Sequence, residues 1–262
     1  MNDFPVIFYQ VLIAVVLCTP RILAAFMVAP FFNTRLITGV TRNAVAFSFA
    51  LIVFPIIFPA VGERGFSILV FLGIVAKESI LGTVFGFLIG LFFWGVEGVG
   101  ALIDRQRGAA MAEAIDPSTG GQSTPLGIFF MHLSIVIFFT TGGFMIFLSA
   151  LYESYQVWPV ISFLPKPDAN YARFFLERVD DFVKMIFLFT APMLIIMFIS
   201  ELGLGLINRF APQLNVFFLA MPIKSALGLM VLILYLPFLL SYLKKYLAEC
   251  ADVLNTLKLI VQ

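Results

Sequence analysis

Asp104, Glu113 and Asp116 place three carboxylates in one short polar segment, the residue type from which general acid–base pairs are built. The same segment contains Gly108, Gly120 and Gly121. A flexible glycine-containing loop is a poor mount for groups that must hold a proton-transfer geometry. His132, the only histidine, lies in GIFFMHLSIVIFF without a Ser/Asp or Cys partner at a recognisable spacing. It is expected to be a hydrogen-bonded helix-packing residue rather than a ligand or base. HExxH, paired CxxC, GxxxxGK(S/T) and GxSxG are all missing from the sequence. Cys18 and Cys250 form no disulfide or metal framework by spacing. No catalytic, cofactor or metal site is expected, and the chain does not read as an enzyme.

The elements that position these residues are set by an unusual composition. The chain is 61% hydrophobic and 12% charged, against roughly 25% charged in soluble domains. So few charges cannot cover a soluble globule of this length, so the apolar excess needs lipid or partner subunits as its solvent. This implies an integral membrane protein. A net charge of +1 with no Lys/Arg run gives no phosphate-binding patch, so nucleic acid is not an expected partner. The opening MNDFP carries Asp3 and no basic n-region, so no cleaved signal peptide is expected.

Apolar runs fall at Val6–Pro30, Ala44–Val61, Phe66–Ile103, Leu126–Leu151, Met185–Ile207 and Ser225–Leu243. The third is too long for one span of about 20 residues and is interrupted by Lys77 and Glu78. Backbone in lipid must satisfy its own hydrogen bonds, and these runs show no period-two alternation, so they read as helices. With the N-terminus outside, Arg35, Arg42, Arg105, Arg107, Arg209 and Lys224 fall inside. Arg64, Lys166, Arg173, Arg178, Lys184, Lys244, Lys245 and Lys258 then fall outside, so the positive-inside rule gives no orientation. Either a helix in the 66–103 region is miscounted, or the final position of the chain is not an ordinary spanning one.

Two segments read as amphipathic rather than spanning. In Arg173–Lys184, Phe175, Val179 and Phe182 share a face, while Arg173/Glu177, Glu177/Asp181 and Asp180/Lys184 sit four apart. The tail at 243–262 repeats Leu243, Leu247, Cys250, Leu254, Leu257 and Val261 as a short heptad stripe. That stripe suits packing on its own chain or docking on another subunit.

A charge at the centre of a membrane helix costs about 2.5–3.5 kcal/mol on insertion scales, so each needs a partner or a polar surrounding. Lys77, Glu78, Glu97 and Glu201 are the candidates. Lys77 and Glu78 are neighbours, about 100° apart around a helix, so their partners are expected from other helices or other chains. An interfacial break between two shorter helices would also accommodate them. Gly82, Gly86 and Gly90 recur every four residues, a face expected to pack closely against another helix.

DRQRGAAMAEAIDPSTGGQSTPLG (104–127) and SELGLGLINRFAPQLNVFFLAMPIKSALGL (200–229) carry the most information. Together they resemble the conserved blocks of the SctT/SpaR/FliR family, the T-type export-apparatus subunit of bacterial type III secretion systems. The order of apolar segments fits as well, so the resemblance covers essentially the whole chain. The second block is the more specific, with a glutamate, paired glycines, Asn-Arg, Pro-Gln-x-Asn and Pro-x-Lys on a two-helix hairpin. The DxQRG…DPxxGxQxxPLG form of the first resembles the injectisome branch more than the flagellar one.

The resemblance implies an all-α, polytopic protein of packed helices and hairpins, one membrane-embedded domain over 1–262, forming part of a helical multi-subunit gate. It implies R-type and S-type subunits and the U-type switch subunit as partners, with unfolded polypeptides passing through the pore. It places the chain in the bacterial inner membrane, multi-pass and in contact with lipid, drawn towards the periplasm on assembly. Loop 104–125 is then part of a plug, carried by Arg105, Gln106, Arg107, Gly108, Asp116, Pro117, Gly120, Gly121 and Gln122. Glu201, Arg209, Pro212, Gln213, Asn215 and Lys224 form an inter-subunit hairpin. Independently of the resemblance, the loop's glycines and prolines interrupt helix. Such backbone is tolerated at membrane depth only inside protein or lining a water-filled cavity. An ordinary solvated connector is the alternative for the loop. A secondary permease using Asp104 and Arg107, or a membrane-embedded hydrolase, is the alternative for the whole chain.

Overall fold

The computed structural model describes residues 3–32, 38–61, 67–108, 114–115, 122–162, 169–210 and 216–261. The fold is all-α, a polytopic membrane protein. Helix α1 (Asp3–Val28) leads through a 3-10 turn (Pro30–Phe32) to α2 (Gly39–Leu51) and α3 (Phe54–Val61). Helix α4 (Ile68–Gln106) is followed by α5 (Pro125–Thr140), α6 (Gly143–Val157), α7 (Ala169–Phe210) and α8 (Val216–Val261). Among the described residues the only strands are β1 (Ala114–Ile115) and β2 (Gln122–Ser123), an antiparallel pair of two residues each inside the 104–125 segment.

Among the described residues four helices are long and apolar enough to cross a membrane, and up to six spans result if each of two bent pairs counts as one. The bends correct two expected single spans. The run Ala44–Val61 is broken between α2 and α3 by 64°, and Leu126–Leu151 between α5 and α6 by 71°. Pro55, in the first turn of α3, has no N–H with which to continue the ladder of α2. At the second break Gly142 adopts φ +79°, a left-handed conformation that ends one helix and opens the next.

Of the two readings of Lys77 and Glu78, the interfacial break is excluded, because α4 runs uninterrupted for 39 residues. Arg173–Lys184 is likewise not a separate amphipathic element but an early part of α7. Its Asp180–Lys184 pair closes at 2.5 Å, and Arg178 pairs with Asp181 at 3.2 Å. Leu243 and Leu247 of the tail stripe are buried within the continuous α8, and Cys250, Leu254, Leu257 and Val261 lie outside the described side chains. His132 is exposed on α5 instead of packed.

Contacts group the chain into two compact units that alternate along the sequence. The first comprises Met1–Leu91, Gly142–Phe175 and Cys250–Gln262. Its core gathers Phe26, Phe32, Phe49, Phe144 and Phe147 at ring separations of 4.6–6.5 Å from Phe26 or from each other. Here α4 lies on α1 through the glycine face: a Cβ at Gly82 would stand 2.0 Å from the Arg21 carbonyl oxygen, and one at Gly86 2.6 Å from that of Ala25. The small-residue spacing thus does what its periodicity implies.

The second unit comprises Phe92–Thr141 and Leu176–Glu249. In it Gly100 of α4 meets the backbone of Leu126 on α5, Gly95 meets Met185 on α7, and Gly228 of α8 meets Met197 on α7. Phe93 and Phe138 pack edge to face at 5.2 Å.

Gly82→Ala would push a methyl group into backbone that cannot rotate away. Overpacking of this kind costs about 1–3 kcal/mol, so the melting temperature of the purified chain in detergent should fall. Gly203→Ala meets nothing within 4 Å, and helix propensity favours it by about 0.5–1 kcal/mol, so the melting temperature should hold or rise. Equal effects from the two substitutions would contradict this packing.

Candidate functional site

The sequence singles out three groups of residues, and the structure gives each a different environment. The intramembrane charges come first, because their geometry is the most closed. Lys77 and Glu78 are both buried on α4. The main partner of Glu78 is Arg21, on α1, which has no exposed surface. Arg21 Nε donates to Glu78 Oε2 at 2.7 Å and Nη2 to Oε1 at 2.9 Å, a bidentate pair. Its Nη1 donates to Ser154 Oγ at 2.9 Å, Nη2 also reaches the Trp158 carbonyl at 2.9 Å, and the guanidinium lies 4.0 Å over the Tyr155 ring.

Lys77 completes the cluster. Its Nζ stands 2.9 Å from Glu78 Oε1 and donates to the carbonyls of Pro159, Val160 and Ser162 at 3.1, 2.8 and 2.9 Å. Adjacent residues on one helix therefore do touch, contrary to the expectation from their 100° separation, because the lysine stem bends its ammonium over the neighbouring carboxylate. Two cations and one anion leave an excess positive charge, and the carbonyl dipoles beyond the end of α6 face it. A cation at a helix C-terminus is the favourable sign for the helix dipole.

Arg21 was legible in principle: it lies in VLCTPRILAAF, and the cost rule that singles out Lys77 and Glu78 applies equally to it. Glu97 is half-buried on α4.

The polar loop is seen at its two ends. At the α4 end Arg105 is exposed, Gln106 is half-buried, and Arg107 pairs with Asp104 at 2.6 Å. Gly108 takes φ +82° and ends the helix there. At the α5 end Thr124 is the N-cap, its Oγ1 accepting from Gly127 N at 3.2 Å, and Pro125 occupies the first turn, where its missing N–H is harmless. Asp104 Oδ2 accepts from Leu126 N at 2.7 Å, joining the two ends. The backbone of Gln122 pairs with that of Ile115, while Asp116, Pro117, Gly120 and Gly121 lie outside the described residues.

On the hairpin, Glu201 and Arg209 are exposed on α7, and Lys224 Nζ on α8 meets Glu201 Oε1 at 2.9 Å. The Glu201 side chain is 52% exposed, so this pair is worth at most about 1 kcal/mol within the chain itself. Gly203 and Gly205 lie beside it with open space where a Cβ would stand. Pro212, Gln213 and Asn215 lie outside the described residues.

Glu78→Ala would strand two buried cations. Removing one partner of a buried pair costs about 3–5 kcal/mol, so this variant should unfold well below the parent temperature in detergent. Converting Arg21 and Glu78 together to methionine should lose less than the two single changes combined. A Glu78→Ala chain as stable as the parent would remove Arg21–Glu78 from its place in the fold.

Comparison with known proteins bears on what these groups serve. The chain matches the family described as "Bacterial export proteins, family 1" over residues 12–250. It is 39% identical over 249 residues to "Yop proteins translocation protein T" of Yersinia pestis, covering 94% of each chain. It is 33% identical over 244 residues to "Secretion system apparatus protein SsaT" of Salmonella typhimurium, covering 91% of each. With "Flagellar biosynthetic protein FliR" of Bacillus subtilis it shares 30% identity over 217 residues, 81% of this chain and 82% of the other. Matched along nearly its whole length, the chain belongs to the bacterial export proteins, family 1.

Proposed function

We propose that this chain is the T-type subunit of a bacterial type III export apparatus, assembling with R-type and S-type subunits into the pore through which unfolded polypeptides leave the cell. The observation that carries this reading is the mismatch between its long helices and any bilayer. Helices of 39, 42 and 46 residues correspond to about 58, 63 and 69 Å at 1.5 Å per residue. The hydrocarbon core of a membrane is about 30 Å thick.

Only 28% and 22% of the most apolar windows of α7 and α8 are buried, against 67% for α4. Along α7, Phe198, Ile199, Leu202, Leu206, Ile207 and Phe210 are all exposed. The exposed apolar residues of α7 and α8 need lipid or protein to cover them. The names of the relatives, a translocation protein, a secretion-system apparatus protein and a flagellar biosynthetic protein, support an apparatus as the source of that cover.

In this reading the chain is one multi-pass domain of the bacterial inner membrane, drawn towards the periplasm as the complex assembles, with the U-type switch subunit nearby. The α7–α8 hairpin, with Glu201, Arg209, Pro212, Gln213, Asn215 and Lys224, is the inter-subunit surface. The loop at 104–125 is the element that helps close the pore. Greater identity to the Yersinia and Salmonella secretion proteins than to the flagellar one supports an injectisome.

Two experiments test this. Expressed alone the chain should fold but be heterogeneous in oligomeric size in detergent, and co-expression with tagged R- and S-type subunits should give one co-purifying complex. A monodisperse monomer that carries a small solute would make it a permease instead. Deleting Glu113–Gly121 should leave the yield of the complex intact while raising its ion conductance after reconstitution. Unchanged conductance in an assembled complex would return the loop to the status of a simple connector.

A further inference from the structure

Helix α8 has two faces. One is buried: Gly228 fits against Met197 of α7, and Leu232, Leu239, Leu243 and Leu247 have little or no exposed surface. Tyr242 and Tyr246 meet Phe189 of α7 at ring separations of 6.1 and 6.5 Å, so α7 and α8 are antiparallel neighbours along this stretch. The other face is an exposed apolar stripe. Met230, Leu234, Phe238 and Tyr242 recur every fourth residue, Ile223 and Ile233 extend the row, and all six are 39–71% exposed.

The length of the stripe and the residues at its ends indicate what covers it. From Ile223 to Tyr242 the helix rises about 29 Å at 1.5 Å per residue, close to the roughly 30 Å of a bilayer's hydrocarbon core. Beyond Tyr242 the next exposed side chains are Lys244 and Lys245, and neither makes an ion pair with a described residue. A tyrosine followed by lysines is the order in which a helix leaves a membrane: the ring sits at the interface and the cations among the headgroups. At the opposite end Lys224 is turned away from the stripe. Its Nζ meets Glu201 Oε1 at 2.9 Å with the lysine side chain 12% exposed, so that charge is neutralised within the hairpin. The exposed Ser241 hydroxyl donates to the Pro237 carbonyl at 3.1 Å, as lipid requires of a polar group that it covers. Protein interfaces, by contrast, are depleted in lysine.

We infer that, in the chain by itself, this face of α8 stands across the bilayer against the acyl chains, and that Lys244 and Lys245 bind the phosphates of anionic lipid headgroups in one leaflet. The stripe sets the depth of the helix, because moving it along its axis would carry either the lysines into hydrocarbon or the apolar residues into water. The lysines select the lipid. Only one end of the stripe does so, since the cation at the other end is already paired with Glu201. This holds for the chain before any partner subunit covers the face.

The test uses the full chain in vesicles without partner subunits. Tryptophan is placed at Leu234, near the middle of the stripe, and separately at Tyr242. Lipids brominated either near the acyl-chain ends or near the headgroup quench it, and the parent, with Trp94 and Trp158, supplies the background. Leu234→Trp should be quenched more by the deep bromines, and Tyr242→Trp more by the shallow ones. Shallow quenching at both positions would lay the helix in the interface. No quenching at either would mean that protein, such as a second copy of this chain, covers the face. Each of these two results overturns the inference. Headgroup selectivity is read separately, from the association of spin-labelled phosphatidylglycerol and phosphatidylcholine with the protein. An anionic surface favours each nearby lysine about fivefold, so the parent should prefer phosphatidylglycerol several-fold and lose that preference at high salt. Lys244→Gln/Lys245→Gln should remove most of the preference, while Lys244→Arg/Lys245→Arg keeps it. Both positions are exposed, so these changes leave the packed face of α8 intact. Equal association of the two lipids with the parent, or a preference that survives the double glutamine change, overturns the role given to the lysines.

Discussion

An arginine with no exposed surface has to be neutralised by its own protein, and in this chain Glu78 does so. The bidentate contact between α1 and α4 fixes which turns of the two helices face each other. It works only because Gly82, one turn beyond Glu78, lets α4 lie against the carbonyl of Arg21 itself. Once the guanidinium is held, its remaining donors take Ser154 and the Trp158 carbonyl, and Lys77 takes the three carbonyls that follow. The irregular chain after α6 thus finds hydrogen-bond partners inside the protein. Buried ion pairs are weak evidence of net stability, since desolvation consumes much of their attraction. What this one supplies is register: sliding α1 past α4 by one turn would part the Arg21 guanidinium from the Glu78 carboxylate.

The second half of the chain obeys the same rule with different means. Where α4 approaches α5, glycines again remove the side chains that would hold the backbones apart, and a buried carboxylate again joins two helices. The difference lies outside. Apolar residues of α7 and α8 remain exposed along helices about twice as long as a bilayer core is thick. The polar positions there, Glu201 and Lys224, pair with each other, with the Glu201 carboxylate half exposed. A unit closed around a buried charge cluster, and another with an uncovered apolar hairpin, fit a subunit of which only one part is complete by itself.

Much of this was legible in the sequence. Composition alone required a membrane or an assembly, the glycine spacing at Gly82 and Gly86 marked a helix contact, and the two polar blocks carried the family. What escaped has physical reasons. Hydropathy averages over a window, so Arg21 vanished among its apolar neighbours, and a single buried cation leaves no periodic trace. The same averaging joined α2 to α3 and α5 to α6, since a bend of 64° or 71° changes direction without changing hydrophobicity. Lys77 and Glu78 suggested a helix break because a charge in an apolar run usually marks an end. Here an arginine 57 positions earlier than Glu78 removes the need for one. His132 was expected inside because it is polar in an apolar helix, yet it sits on the exposed side of α5. No sequence rule distinguishes a side chain facing lipid from one facing a partner chain.

That last ambiguity is where the account is most open to contradiction. A photo-crosslinking amino acid placed at Ile199 on α7, and separately at Ile233 on α8, reports what covers these exposed positions in living cells. The account requires adducts to protein when the whole apparatus is expressed, and their replacement by lipid adducts when the R- and S-type subunits are withheld. Lipid adducts alone at both positions, in cells that assemble a complete and secreting apparatus, would contradict it.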